Sequence, residues 1–306
     1  MPFPLSPRGS AALWAIASAA TFTASSGAAK FLGQALPATE LAFLRAGFGV
    51  ALLFGAWRLA ATLGKPRDVR GHLLRCGLGI AAAYSFMYAL TTIPLALATL
   101  IFITRVLLLP VAGRLMLGER SGWLLWGCLL IGVAGAGVTL WPSLTVPEFR
   151  VGILAAVLAS VTSAGSQTAV RRLTASNSPE MIVLIYTAFC MAALAPTAAE
   201  WVLPPMNDWP ALIVFGVFAV AAQLTAARAY AKATVAFLAP FDLLTFPAAA
   251  LIGCLMFEET PSVHEVAGGS LVIASAAAVS WLAGRKSRLP MPDIDRSPGG
   301  SVTSPR

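Results

Sequence analysis

Charge is scarce in this chain. Only 11% of its 306 residues are Asp, Glu, Lys or Arg, against about 25% in an ordinary soluble domain. There are two histidines and four cysteines. Cys76, Cys128, Cys190 and Cys254 all lie within apolar stretches without CxxC spacing, and His72 and His264 are far apart in sequence. Neither a metal centre nor a disulfide framework is expected from that pattern. No GxGxxG follows a strand-like run, and P-loop, HExxH and GxSxG motifs are missing too. These absences argue against an enzyme, and no cofactor or metal is expected. The net charge of +8 does not indicate a nucleic-acid partner, because the basic residues are spread over many short loops rather than gathered in one patch.

What is present is apolar. The chain is 58% hydrophobic with a mean hydropathy of +0.80, and apolar runs of roughly 20 residues are what a helix needs to cross a bilayer. Ten such runs can be read, near 11–33, 39–61, 73–92, 96–117, 122–141, 150–171, 180–199, 210–229, 234–257 and 263–283. The fold expected is an all-α integral membrane protein of ten transmembrane helices, with the lipid bilayer as its solvent. Short connections leave no room for a soluble catalytic domain. The ends are expected to be a short segment 1–10 and a disordered Pro/Ser/Gly-rich tail 284–306.

Loop charges orient the chain. With a cytoplasmic N-terminus, 17 of the 21 Lys and Arg residues fall on the inner side, as the positive-inside rule requires. Lys30 and Arg150 fall outside, with Glu40, Glu148, Glu200, Asp208, Glu258, Glu259 and Glu265. Both ends are then cytoplasmic, and the location expected is the cell inner (plasma) membrane. Arg45, Arg105 and Asp242 remain within spans, where each charge costs a few kcal/mol or more and calls for a partner or a task.

A shift of 140 residues superposes the halves: Glu40 falls on Glu180, Ala96 on Ala236, Glu119 on Glu259 and Trp141 on Trp281. Repeats at 11–141 and 150–283 follow, five helices each. Five is odd, so the second copy enters from the opposite side. Inverted repeats of this kind recur in secondary transporters, where a central site opens to each side in turn. The repeat needs its first helix, which argues against a cleaved signal peptide.

The stretches "FLRAGFG" (43–49), "YALTTIPLALATLIF" (88–102), "LMLGERSGW" (115–123) and "QLTAARAYAKATVAFLAPFDLLTFPAAALIGCLMFEETPSVHEVAGGSLVIAS" (223–275) resemble the EamA family of the drug/metabolite transporter superfamily. The likeness spans nearly the whole chain, and "RAYAKATVAFLAPFD" and "GCLMFEETP" look like the branch that includes S-adenosylmethionine uptake carriers. The resemblance implies ten helices in two EamA repeats, cytoplasmic ends and transport by alternating access. An S-adenosylmethionine-like solute is the substrate implied by resemblance alone. The chain departs from the family at Arg105 and Val106, where a small residue followed by proline is usual; its proline stands at Pro110.

Asp242 lies about 12 Å into the ninth run and Arg105 about 13.5 Å into the fourth, at 1.5 Å per residue. Both are near the midplane, on helices related by the repeat, and could meet or face one cavity. Pro240, Pro247 and Pro110 are the expected helix breaks, which mark transporter binding sites. Two readings of the charges stand. They bind solute, with Asp242 also carrying a proton as its solvation changes and Arg105 holding a carboxylate or phosphate, which favours a small polar or zwitterionic metabolite. Alternatively they form an ion pair that only packs helices. Tyr84, Tyr88 and Phe86, Trp14, Gln167 and Gln223 are further candidate lining residues, although helix aromatics are usually packing. Arg45, five residues from Glu40, reads as a structural residue that snorkels or pairs at the outer face. Glu119 and Glu259, at helix ends, are either solvated or tie a loop to a neighbouring helix. The small-residue runs "GVAGAGV" (132–138) and "ASAAAVS" (274–280) permit close helix approach within the bundle or in a homodimer. The carrier expected is proton-coupled or an exchanger, of either direction; the alternatives are an efflux carrier for amino acids or drugs and a non-transporting helper or assembly subunit.

Overall fold

A computed structural model describes residues 7–55, 66–117, 123–143, 145–233, 238 and 241–286. Among them every regular element is helical. The helices are α1 (Pro7–Leu32), α2 (Ala38–Gly55), α3 (Val69–Thr92), α4 (Leu95–Ile103), α5 (Arg105–Leu117), α6 (Trp123–Ser143), α7 (Arg150–Leu173), α8 (Pro179–Leu194), α9 (Trp209–Lys232), α10 (Thr245–Phe257) and α11 (Val263–Lys286). Their positions follow the apolar runs. α1 begins earlier than expected, at Pro7, a residue suited to a first helical turn because its missing N–H would be unpaired there anyway. The end of the second run, Pro240, Glu119 and most of the tail lie outside the described residues.

Two runs expected as single helices are broken. The fourth is interrupted at Thr104, between α4 and α5. The ninth has a turn at 243–244 before α10, and the two breaks correspond under the 140-residue shift. Neither falls on a proline. The helix runs on through position 110, and Pro247 sits in the first turn of α10. A proline frustrates the carbonyl four residues before it, so Pro110 and Pro247 act on the turns at 106 and 243, next to the breaks. Each break closes with a threonine hydroxyl: Thr104 Oγ1 donates to the Ile101 carbonyl at 2.6 Å and Thr245 Oγ1 to the Asp242 carbonyl at 2.6 Å.

Helix pairing is reciprocal between the halves. α1 packs most extensively on α9, and its counterpart α7 on α3; α2 pairs with α8, α4 with α10 and α6 with α11. Direction follows from the contacts. Lys232 at the end of α9 reaches Ser10 at the start of α1, and Arg172 at the end of α7 reaches Asp68 at the start of α3. The starts of α1 and α3 therefore share one end of the bundle with the last turns of α7 and α9; it carries Arg67, Arg70, Arg171, Arg172 and Lys232 and is called the basic end below. The opposite, acidic end holds Glu40, Glu200, Asp208, Glu258 and Glu259. α1 starts at the basic end and α7 at the acidic end.

Small residues set the closest approaches. A Cβ on Gly135 would stand 2.9 Å from the Gly268 carbonyl oxygen, and one on Gly268 would collide with the Gly135 carbonyl. The glycine-rich run of α6 is thus used inside the bundle, against α11. Outside, large apolar residues are exposed, Leu115, Leu130, Leu255 and Val263 among them. Trp123 and Trp141 stand exposed at the two ends of α6, about 27 Å apart along the axis, a separation that places two indoles at opposite edges of a hydrocarbon slab. Five described helices are long and apolar enough to cross a membrane: Val69–Thr92, Trp126–Ser143, Pro147–Leu173, Pro179–Glu200 and Met206–Lys232.

At the basic end Asp68, with a left-handed backbone (φ 59°), caps α3 by accepting from the Gly71 N–H at 3.1 Å. It also takes a forked pair of bonds from Arg172, at 2.6 and 3.0 Å. The Arg172 bonds, then the Gly71 bond, hold its carboxyl below the ordinary 3.8. A depressed acid contributes stability above its unfolded value and loses it as pH falls through the folded value. The loss of thermal stability of detergent-solubilised protein on acidification below pH 4 should therefore be smaller in Asp68→Asn than in the wild type. A second expectation concerns packing: Gly268→Ala should cost about 1–3 kcal/mol, lowering the unfolding temperature, whereas Gly127→Ala, which meets nothing within 4 Å, should not.

Candidate functional site

A cavity of about 880 Å³, its open mouth included, lies in the half of the bundle toward the basic end. Six helices and the two breaks shape it. Ala15, Ser18 and Ala19 of α1 and Ala222, Ala226 and Ala229 of α9 line it, small side chains that leave space where larger ones would fill it. At its deep end Phe22, Phe86 and Phe102 stack, with centroids 4.2 Å apart for Phe86 and Phe102 and 5.5 Å for each with Phe22. Beyond them, toward the acidic end, the helices close on an apolar core that includes Leu32, Leu41, Leu90, Ile93 and Leu97.

The acidic end is fastened by polar groups. Lys30 Nζ lies 2.8 Å from Glu259 Oε1 and donates to the Ile93 carbonyl at 2.8 Å. The other Glu259 oxygen accepts from the Leu95 N–H at 2.8 Å. Of the two sequence readings for Glu259, the tie to a neighbouring helix is the one seen: the second residue after α10 caps α4.

Arg105 and Asp242 meet at the wall of the cavity, Nη2 to Oδ2 at 3.3 Å. The Arg105 guanidinium also stacks 4.2 Å from the Phe102 centroid and 5.6 Å from Phe22. The breaks make the meeting possible. Arg105 is the first residue after the break at Thr104 and Asp242 the last before the turn at 243–244, so each emerges where its helix is interrupted.

Gln167 and Gln223 line the same cavity, as does Phe86. The other sequence candidates lie elsewhere. Tyr84 points out of the bundle and is 39% exposed. Tyr88 is not among the lining residues. Trp14 lies under Arg228, 5.1 Å from the ring centre, and Arg228 pairs with Glu180 at 2.9 Å at the basic end. Among the described residues no group of His, Cys, Asp and Glu is placed to hold a metal ion.

Arg45 and Arg75 line the cavity, and neither had been expected there. Arg75 had counted as one basic residue of an inner loop; it lies half-buried on α3 and lines the cavity. Its guanidinium stacks 3.9 Å from the centre of the Tyr186 ring, with Nη1 on Ser166 Oγ at 2.5 Å and Nη2 on Gln223 Oε1 at 3.4 Å. Gly79 makes room for this stack, since a Cβ there would collide with Arg75 and stand 2.6 Å from Tyr186. The sequence carried a signal for Arg75: Arg75, Gly79, Ala82, Ala83 and Phe86 fall at i, i+4, i+7, i+8 and i+11, one face of a helix. Tyr186 and Tyr230, from α8 and α9, also line the cavity.

Residues 9–141 and 150–281 each match the profile of the EamA-like transporter family. The chain is 26% identical to the pseudopaline exporter CntI of Pseudomonas aeruginosa, over 89% of this chain and 96% of that one. It is 27% identical to a riboflavin transporter of Vibrio cholerae, over 90% and 95%, and 25% identical to an S-adenosylmethionine uptake transporter of Rickettsia bellii, over 85% and 89%. A solved crystal structure superposes with a TM-score of 0.66 at 21% identity, covering 92% of this chain and 99% of the other, which shows a shared fold.

Removing one member of a buried ion pair leaves the other charge uncompensated, at a cost of about 3–5 kcal/mol. Asp242→Asn should therefore unfold at a clearly lower temperature in detergent, and Asp242→Asn combined with Arg105→Gln should recover much of the loss. Equal stability of the single variant and the wild type would show that the pair contributes little to packing.

Proposed function

Because the chain belongs to the EamA-like transporter family, we propose that it is a secondary transporter that carries a small polar solute across the inner membrane by alternating access. In this reading ten spans form two inverted five-helix repeats, both chain ends are cytoplasmic, and the partners are the solute and the bilayer. The observation that carries it is the one-sided cavity. A polar chamber at the level of the Arg105–Asp242 pair is sealed toward the acidic end by three stacked phenylalanines and the Lys30–Glu259 tie.

The proposal assigns the basic end to the cytoplasm, so this conformation faces inward. Opening the other way would part Phe22, Phe86 and Phe102 and close the basic end. The breaks at Thr104 and 243–244 are where such a motion costs least, since helical hydrogen bonds are already interrupted there. Reciprocal pairing lets the two repeats exchange arrangements around a fixed centre. Asp242 is the cavity's one carboxylate among the described residues, and we assign it proton coupling: a proton on it would dissolve its pair with Arg105 and free both groups. Relatives named for export and for uptake align over most of this chain, with unlike cargoes, so the scaffold itself selects neither direction nor solute.

The test is counterflow in proteoliposomes loaded with a pooled metabolite extract and read by mass spectrometry. The wild type should exchange a narrow set of solutes, and Asp242→Asn should lose that exchange or its pH dependence. Glu259→Gln, which loosens the acidic end, should raise labelling of Ser26→Cys by a membrane-impermeant thiol reagent. Identical exchange by wild type and Asp242→Asn would remove Asp242 from the mechanism, and no exchange by folded wild-type protein would favour a helper subunit.

A further inference from the structure

Three arginines and one aspartate face the cavity: Arg45, Arg75 and Arg105 against Asp242. Arg105 and Asp242 neutralise each other. Arg45 and Arg75 have no carboxylate within 4.0 Å among the described residues. The other acids near these helices are engaged elsewhere: Glu180 with Arg228, Asp68 with Arg172, Glu259 with Lys30 and Glu40 with the Val202 N–H. Arg45 and Arg75 are also close enough for their charges to repel. Two like charges kept together in a low-dielectric bundle, with no carboxylate beside either among the described residues, are unfavourable by themselves and call for a partner.

Arg75 is held ready for one. Its ring stack and its bonds to Ser166 and Gln223 fix the plane of the guanidinium, and those partners are neutral. Its Nε–H is buried and has no acceptor among the described residues. A planar fork with an unused donor edge matches a carboxylate or phosphate oxyanion. Arg45, from α2, makes no hydrogen bond among the described residues and supplies a second cation across the same chamber.

We propose that the transported solute is a small polyanion, with at least two carboxylate or phosphate charges, bound between Arg75 and Arg45. This rests on the transporter reading above and adds its substrate class. The two excess positive charges are the complement of two negative ones. A net cation such as S-adenosylmethionine would add to the excess, and a zwitterion would leave it in place. The Arg105–Asp242 pair then lies beside the solute as its switchable neighbour. All three arginines come from the first repeat and the aspartate from the second, so rearrangement of the repeats changes the cation spacing that the solute reads.

Binding can be tested without transport. Purified full-length protein in detergent is titrated with citrate, with inorganic phosphate, with spermidine and with trimethyl citrate, following thermal stability. Citrate or phosphate should stabilise it while spermidine and trimethyl citrate do not, and which of the two anions is preferred separates carboxylate from phosphate chemistry. Arg75→Gln and Arg45→Gln should each weaken the anion effect about 10-fold to 100-fold, with partial recovery in Arg75→Lys. Arg70→Gln, which removes the same charge from the exposed start of α3, should not change it. Stabilisation by spermidine or trimethyl citrate instead, no stabilisation by either anion, or anion stabilisation unchanged in both arginine variants would overturn the proposal. None of those results would touch the transporter reading, which fails only if folded protein exchanges no solute in the counterflow assay.

Discussion

An arginine and an aspartate held 3.3 Å apart in the middle of an apolar bundle set the terms for the rest of this structure. Both side chains are largely withdrawn from water, 7% and 19% exposed, and their mutual attraction offsets desolvation only if geometry and further contacts are favourable. The surroundings supply those contacts. Arg105 has the faces of Phe102 and Phe22, and Asp242 sits where a helix pauses, its own carbonyl taken by Thr245. The interrupted helices, the aromatic stack and the space around them all serve to place two ions where continuous apolar helices would exclude them.

That constraint shapes the packing. The breaks occupy equivalent places in the two halves, and the helices around them pair reciprocally: α1 with α9 as α7 with α3, and α6, α2 and α4 with their own counterparts. Small residues bring these pairs close. Gly135 against Gly268 is one such contact, and Ser18 and Ser25 of α1 donate to backbone carbonyls of α9 at 3.1 and 2.9 Å. Other large apolar residues, Leu115, Leu130 and Leu255 among them, stand outside, facing lipid. Arg45, Arg75, Arg105, Asp242, Gln167 and Gln223 are gathered around one central cavity.

The candidate site was partly legible in the sequence. Asp242 and Arg105 stood out because intramembrane charges are rare, and both line the cavity with Gln167 and Gln223. The aromatic candidates divided: Phe86 faces inward, whereas Tyr84 and Trp14 do not line it. Residue type alone cannot tell the two faces of a helix that is apolar all round. Arg75 was hidden for the opposite reason. Within a cluster of loop arginines it looked like one more orienting charge, although its spacing to Phe86 placed it on the inner face.

Composition and run length determined by themselves that this chain is a helical membrane protein, because apolar length is a property of the linear chain, and particular stretches of it carried the likeness to the EamA-like family whose profile it matches. They also determined that Arg105 and Asp242 must find partners. Tertiary structure alone decided that these two are each other's partner, that the helices break one to two turns before Pro110 and Pro247, and that, among the described residues, neither Arg45 nor Arg75 has a carboxylate within 4.0 Å. Those facts depend on which helix faces cross, and the angular placement of a side chain around a uniformly apolar helix is settled only when neighbouring helices dock against it.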